Sequence, residues 1–210
     1  YDPIFRMKFL PPGRMLWALG TPIIHERRVG QALFNCAFVS TARIGHSLPE
    51  SVKPFTFMMD MSMVGVGVGF DVEGAGKLEI TSPENGPVET YLIPDTREGW
   101  VISLEKLLSG YFCKGFEGPS TGKILFDYSA IRPEGVAIRG FGGVSSGPAP
   151  LMRMHEQIRN ILEQSSGKAI TITLITDLMN LIGQCVVAGN VRRTAQIALG
   201  DAGSSESRRL

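Results

Sequence analysis

The sequence has no excess charge of either sign: 21 Lys and Arg face 20 Asp and Glu over 210 residues, a formal net charge of +1. Bulk electrostatics therefore does not mark the chain as a binder of nucleic acid or of an anionic membrane surface, and any phosphate it holds must be gripped locally. Long apolar runs are missing too. The richest stretch, residues 170–182, is interrupted by Thr, Asp and Asn and is too short to cross a bilayer, and no basic-then-apolar leader opens the chain, so a cytoplasmic protein is expected. Cysteine and histidine are scarce: Cys36, Cys113 and Cys185, with His25, His46 and His155, show no CxxC or Cys/His ligand spacing. That excludes the usual structural zinc patterns, and no residue is assigned to a metal. An odd number of cysteines without a secretory leader is expected to stay reduced, with at most one in a redox task whose partner lies elsewhere. Repeats and low-complexity tracts are absent, and the hydrophobic pattern marks no clear domain boundary. The first residue is Tyr1 rather than Met, and Ser207-Arg208-Arg209-Leu210 bring no closing element, so both ends are expected to be arbitrary.

What is present fits a globular α/β protein. A hydrophobic content of 43% with 20% charge can fill a core. Residues 1–20 read as an irregular approach with a turn at Pro11-Pro12-Gly13, and residues 31–40 (QALFNCAFVS) as a buried strand. Ser47 can cap a helix from Pro49 to about Met61, in which Pro54 sits awkwardly. Residues 63–71 (MVGVGVGFD) read as a strand with one nearly bare face, and residues 72–94 as polar and turn-rich. Thr96 starts an amphipathic helix through Trp100, Leu104, Leu107 and Leu108, and residues 123–127 form a strand. Helices are expected over 149–164 and from Thr171 to about Val186, the second ended by Gly189 and Asn190, with a strand at 194–199. Strands alternating with helices through short glycine turns predict mainly parallel pairing.

Four local features carry possible chemistry, each with a plain structural alternative. The loop Arg139-Gly140-Phe141-Gly142-Gly143-Val144-Ser145-Ser146-Gly147-Pro148 places free amides and two hydroxyls before a helix N-terminus, where anions are favoured. It matches neither the P-loop nor the dinucleotide fingerprint, and it can equally be a connector. Arg192 and Arg193, in the turn Gly189-Asn190-Val191-Arg192-Arg193, suit phosphates or a base edge, or simply offset a helix dipole. Gly65, Gly67 and Gly69 let a ligand, or a packed helix, approach the strand closely. Cys36, beside the Asn35 amide in an apolar run, is by burial alone a small core thiol.

Taken in this order, Asn35-Cys36, Val66-Gly67-Val68-Gly69-Phe70, the 139–148 loop with its helix, and the twin-arginine turn resemble the large catalytic subunit of ribonucleotide reductases. Residues 5–14 (FRMKFLPPGR) and 126–135 (FDYSAIRPEG) are most similar to the monomeric adenosylcobalamin-dependent triphosphate reductases, and the likeness runs from about Phe5 to Asp201. The resemblance implies the first half of a ten-stranded α/β barrel over residues 1–201, with an inserted effector-binding segment at about 72–138 and an unassigned tail at 202–210. It implies that Cys36 is one thiol of a redox pair whose partner lies beyond Leu210, with Asn35, Gly67 and Gly69 at the substrate. Gly189, Asn190, Arg192 and Arg193 would form the specificity loop, and Gly142, Gly143, Ser145 and Ser146 a phosphate or effector loop. The reaction implied is reduction of ribonucleoside triphosphates for DNA synthesis by thiyl-radical chemistry. Its expected partners are a deoxynucleoside triphosphate effector and a thioredoxin-like reductant, with adenosylcobalamin bound mainly outside this stretch and a monomeric enzyme. The stretch alone is expected to be inactive, because the radical cysteine is not in it. Two alternatives stay open, a reductase with a diiron or glycyl radical source and a noncatalytic nucleotide-binding module.

Overall fold

The computed structural model describes residues 2–26, 28–83, 88–116, 122–138, 144–188 and 195–209. Three short helices open the chain, α1 (Asp2–Phe5), α2 (Gly13–Ala18) and α3 (Pro22–His25), so the approach segment is locally helical rather than irregular. After a 3-10 turn at Gly30–Leu33 come strand β1 (Cys36–Val39), α4 (Leu48–Met63), β2 (Gly67–Asp71), β3 (Glu89–Leu92), α5 (Arg97–Phe112) and β4 (Ile124–Asp127). Helices α6 (Ala149–Gln164) and α7 (Ile172–Val187), strand β5 (Gln196–Leu199) and a 3-10 turn at Ser207–Arg209 complete the order. All pairings between named strands are parallel. One sheet runs β1-β2-β5 and a second joins β3 to β4. The class is thus α/β, as the alternation of elements predicts, and the described residues build a partial sheet rather than a closed barrel.

Side-chain caps set the starts of three long helices. Ser47 accepts from the Glu50 amide at 3.3 Å, Thr96 from the Gly99 amide at 2.9 Å, and Thr171 from the Leu174 amide at 3.0 Å, each satisfying a donor that the first turn leaves free. Helix α4 passes through Pro54, whose ring is buried, at the loss of one backbone bond. It also runs further than the sequence suggests, to Met63. The Val66 amide returns to the Met61 carbonyl and the Gly65 amide to that of Ser62, while Gly65 takes a φ of +81°. This is a Schellman closure, so Gly65 ends the helix and does not belong to the bare strand face.

The expected buried strand over 31–40 is shorter and more open than its composition implies. Residues 30–33 coil into the 3-10 turn, and β1 alternates exposed Cys36 and Phe38 with half-buried Ala37 and Val39. Strand β3 lies inside the stretch read as turns. Its four residues are mostly exposed and β4 is its only strand partner among the described residues, so no apolar alternation announces it.

Helices cover one face of the main sheet. Val68 and Phe70 of β2 point into a core shared with α4, α5, α6 and α7, where Phe55, Met58, Leu104, Leu151, Met154, Ile175 and Ile182 are fully or nearly fully buried. The opposite face carries Phe38, Ile197 and Leu199, each about half exposed. Residues 201–209 are not detached. The Glu206 carboxylate accepts from the Thr173 amide at 3.0 Å and its hydroxyl at 3.1 Å, docking the tail on the first turn of α7.

Candidate functional site

The open face of the sheet holds the first group of predicted site residues. In the parallel ladder Cys36 stands opposite Gly67 and Phe38 opposite Gly69, and the Gly67 amide donates to the Asn35 carbonyl at 2.9 Å. Opposed residues of a parallel pair project to the same side, so the Cys36 thiol shares a surface with the bare Gly67 backbone. That thiol is free and exposed, not an inert core group. A Cβ on Gly67 would meet only ordinary contacts, 3.5 Å from the Ala195 carbonyl and 3.6 Å from its Cβ. Gly69 differs. A Cβ there would come within 3.1 Å of the Phe38 ring and 3.2 Å of Ile197, so its lack of a side chain lets those two pack above it. The bare surface is therefore narrower than the alternating glycines suggest, and centres on Gly67.

Neither of the other thiols joins it. Cys113 follows α5 and donates to the Gly110 carbonyl, while Cys185 is buried in α7, where desolvation pushes its thiol up to about 12. Among the described residues no three His, Cys, Asp or Glu side chains are grouped so as to hold a metal ion.

A second candidate site lies at the ends of the helices. A cavity of about 150 Å³ is lined by Arg97, Trp100, Arg132, Ser145, Ser146 and Cys185, among others. Arg97 pairs with Asp60 at 2.9 Å and Glu98 at 2.8 Å, and Arg132 with Asp95 at 2.6 Å. Burial raises the Asp60 carboxyl against the opposing pull of Arg97. The Ser145 hydroxyl accepts from the Gly147 amide at 3.0 Å, which leaves its O–H free to donate. Gly142 and Gly143, like Gly189, Asn190, Arg192 and Arg193, lie outside the described residues. Their described flanks, Val144 to Ser146 on one side and Cys185 with Val186 on the other, line this same cavity.

Beneath the cavity lies a buried relay that the sequence does not announce. Ser103 donates to the Trp100 carbonyl at 2.7 Å, which leaves its oxygen to accept from His155 Nε2 at 3.1 Å. Nε2 then carries the ring proton, and Nδ1 accepts from the Tyr128 hydroxyl at 2.8 Å. Desolvation, reinforced by the Arg159 cation, pushes His155 down to about 3, and burial raises Tyr128 to about 12, so both are neutral and the direction of donation is fixed. Through these bonds His155 ties the Trp100 turn of α5 to the segment leading from Tyr128 to Arg132, two walls of the cavity. One clue to the site was in the sequence: Arg97 sits in the first turn of α5, at the positive end of the helix dipole, where a cation needs the carboxylates it is found with.

Comparison with known proteins follows the same outline. Residues 72–162 match the family described as B12-dependent ribonucleotide reductase, insertion domain. The chain is 52% identical to the adenosylcobalamin-dependent ribonucleoside-triphosphate reductase of Euglena gracilis over 97% of its own length and 27% of that protein. It is 46% identical to a probable enzyme of the same name from Dictyostelium discoideum, over 98% of this chain and 28% of the relative. A crystal structure of a B12-dependent (class II) ribonucleotide reductase superposes with a TM-score of 0.82 at 30% identity, covering 99% of this chain and 34% of that one. The chain thus spans 27% to 34% of the length of the relatives named.

Proposed function

The chain belongs, over the stretch it spans, to the adenosylcobalamin-dependent class II ribonucleotide reductases, and from that premise we propose that it forms part of an enzyme reducing ribonucleoside triphosphates to 2′-deoxyribonucleoside triphosphates for DNA synthesis. The observation that carries this reading is the exposed Cys36 thiol in register with the bare Gly67 backbone on the uncovered sheet face. A ribose laid on Gly67 would have that thiol beside it, with Asn35 adjacent and Gly69 one rung further on.

In this reading a thiyl radical takes the 3′-hydrogen, the 2′-hydroxyl leaves as water after protonation, and two thiols supply two electrons and become a disulfide. Cys36 is one of those thiols, and its partner belongs to another part of the complete enzyme. A thioredoxin-like dithiol restores the pair. The apolar side chains Phe38 and Ile197 keep water from the reacting centre once the rest of a ten-stranded barrel covers this face. Adenosylcobalamin supplies the homolysis that creates the radical. Its binding falls mainly to other parts of the enzyme.

The helix-end cavity is the place for a deoxynucleoside triphosphate effector. Two arginines can meet phosphates once their carboxylates are displaced, and Trp100 offers a stacking surface. On the resemblance alone, Gly142 and Gly143 are assigned to this effector site and Gly189, Asn190, Arg192 and Arg193 to the specificity loop; all six lie outside the described residues. A monomeric enzyme of the cytoplasm completes the reading; no helix among the described residues is long and apolar enough to cross a membrane.

The test is turnover of the complete enzyme with and without adenosylcobalamin, together with a Cys36→Ser variant. Strict cobalamin dependence, and loss of multiple turnover with a dithiol in the variant while nucleotides still bind, are the expected results. Cobalamin-independent turnover, or a variant that cycles normally, contradicts the reading.

A further inference from the structure

Arg14 lies on the short helix α2, far from β1 and β2 in sequence, yet its guanidinium reaches the chain just before both strands. Nη1 stands 3.4 Å from the Ala32 carbonyl, 3.2 Å from that of Phe34 and 3.5 Å from that of Val64, and Nη2 donates to the Gly65 carbonyl. The positions of these acceptors are informative. Cys36 pairs with Gly67, so continuing the register backwards sets Phe34 level with Gly65. The last backbone bond of the ladder at this end runs from the Gly67 amide to the Asn35 carbonyl. Arg14 therefore occupies the next rung, Phe34 opposite Gly65, and joins the two segments through their carbonyls.

The energetics favour this arrangement. Val64 and Gly65 close α4, whose terminal carbonyls lack helical partners and carry the negative end of the dipole. Among the described residues no carboxylate pairs with Arg14, so backbone carbonyls alone balance its charge. A planar fork with five donors can span two chain segments, which an ammonium group on a flexible stem cannot do with the same geometry. Register is the quantity at stake. A slip of one residue in β1 would turn Cys36 to the helix-covered face, and one in β2 would bring Val66 or Val68 where Gly67 now lies.

We propose that Arg14 is the positioning residue that locks Cys36 beside Gly67, acting as an artificial rung at the open end of the ladder. Its value for catalysis rests on the reading of Cys36 and Gly67 as the reduction site; its value for register does not.

The experiment compares Arg14→Gln and Arg14→Lys in the complete enzyme by amide hydrogen exchange, effector binding and turnover. Arg14→Lys keeps the charge at the helix end and should fold even if Arg14→Gln does not. In both, exchange at Gly67 and across residues 34–38 should accelerate about tenfold or more while α5 and α6 keep their protection. kcat should fall by about tenfold or more, with the binding of a deoxynucleoside triphosphate unchanged, because misplacement of about an ångström at a reacting centre costs that much. Unchanged exchange at Gly67 in Arg14→Lys overturns the proposal whatever the activity does. Accelerated exchange with unaltered kcat overturns the catalytic half of it. Failure of the underlying reading shows separately, as normal cycling by Cys36→Ser with Arg14 intact.

Discussion

Two residues set apart by their surroundings carry the clearest expectations. His155 is held neutral in the fold and titrates at about 3, against about 6.5 in an unfolded chain. The unfolded state therefore binds the extra proton first, and folding stability falls as pH drops below about 6.5, by at most about 1.4 kcal/mol per unit, until the folded value is reached. Between pH 6.5 and 5, where exposed carboxylates stay ionised, most of that slope should belong to His155. Denaturant unfolding across this window should show it in the parent and lose it in His155→Gln. Nitrogen NMR should find the Nε2-protonated tautomer without titration above pH 5, whereas the opposite tautomer would break the inferred chain from Tyr128 to Trp100. Cys36 is the contrasting case, an exposed thiol on a surface whose neighbours are glycine backbone and aromatic carbon. Sequence reasoning located it by resemblance, while the local reading of a buried core thiol failed because an apolar run says nothing about which side of a strand is covered.

At the scale of elements, what was legible followed local chemistry. Ser47, Thr96 and Thr171 announce helix starts because a hydroxyl before an apolar period satisfies a free amide, and those bonds form. Replacing Thr171 by Ala should cost about 1 kcal/mol, read as a lower Tm with no change in the denaturant slope. What was illegible depended on contacts between distant segments. Gly65 was grouped with the strand glycines by its spacing, yet it closes α4 with a positive φ that only the returning chain demands. Gly65→Ala should therefore cost about 1–2 kcal/mol as a left-handed alanine, and it should do so without introducing a clash, since only the Arg14 guanidinium lies near, at 3.5 Å. Strand β3 and the Arg14 contacts were invisible for the same reason: neither has a period, and each exists only through its partner. The arginine and carboxylate lining of the helix-end cavity, with Asp95 and Arg132 37 positions apart, came together only in the fold, although Arg97 in a first turn hinted at it.

At the scale of the whole molecule, the described sheet is closed on its helix side and open on the other, where Phe34, Phe38, Ile197 and Leu199 are about half exposed or more. Apolar surface of this kind beside unpaired strand edges drives association. The 210 residues by themselves should self-associate in light scattering at micromolar concentration, and a monodisperse monomer would show that the face is covered by some other means. In the reading offered here it is the lining of a reaction chamber, and the thiol at its centre changes oxidation state once per product. That change can be followed directly. The complete enzyme, reduced, freed of external dithiol and given substrate for a single turnover, is quenched with an alkylating agent and mapped by mass spectrometry. The account predicts that Cys36 loses its free thiol in proportion to the deoxynucleotide formed and appears in a disulfide with a cysteine outside these residues. A Cys36 that remains fully alkylated after product has formed would contradict it.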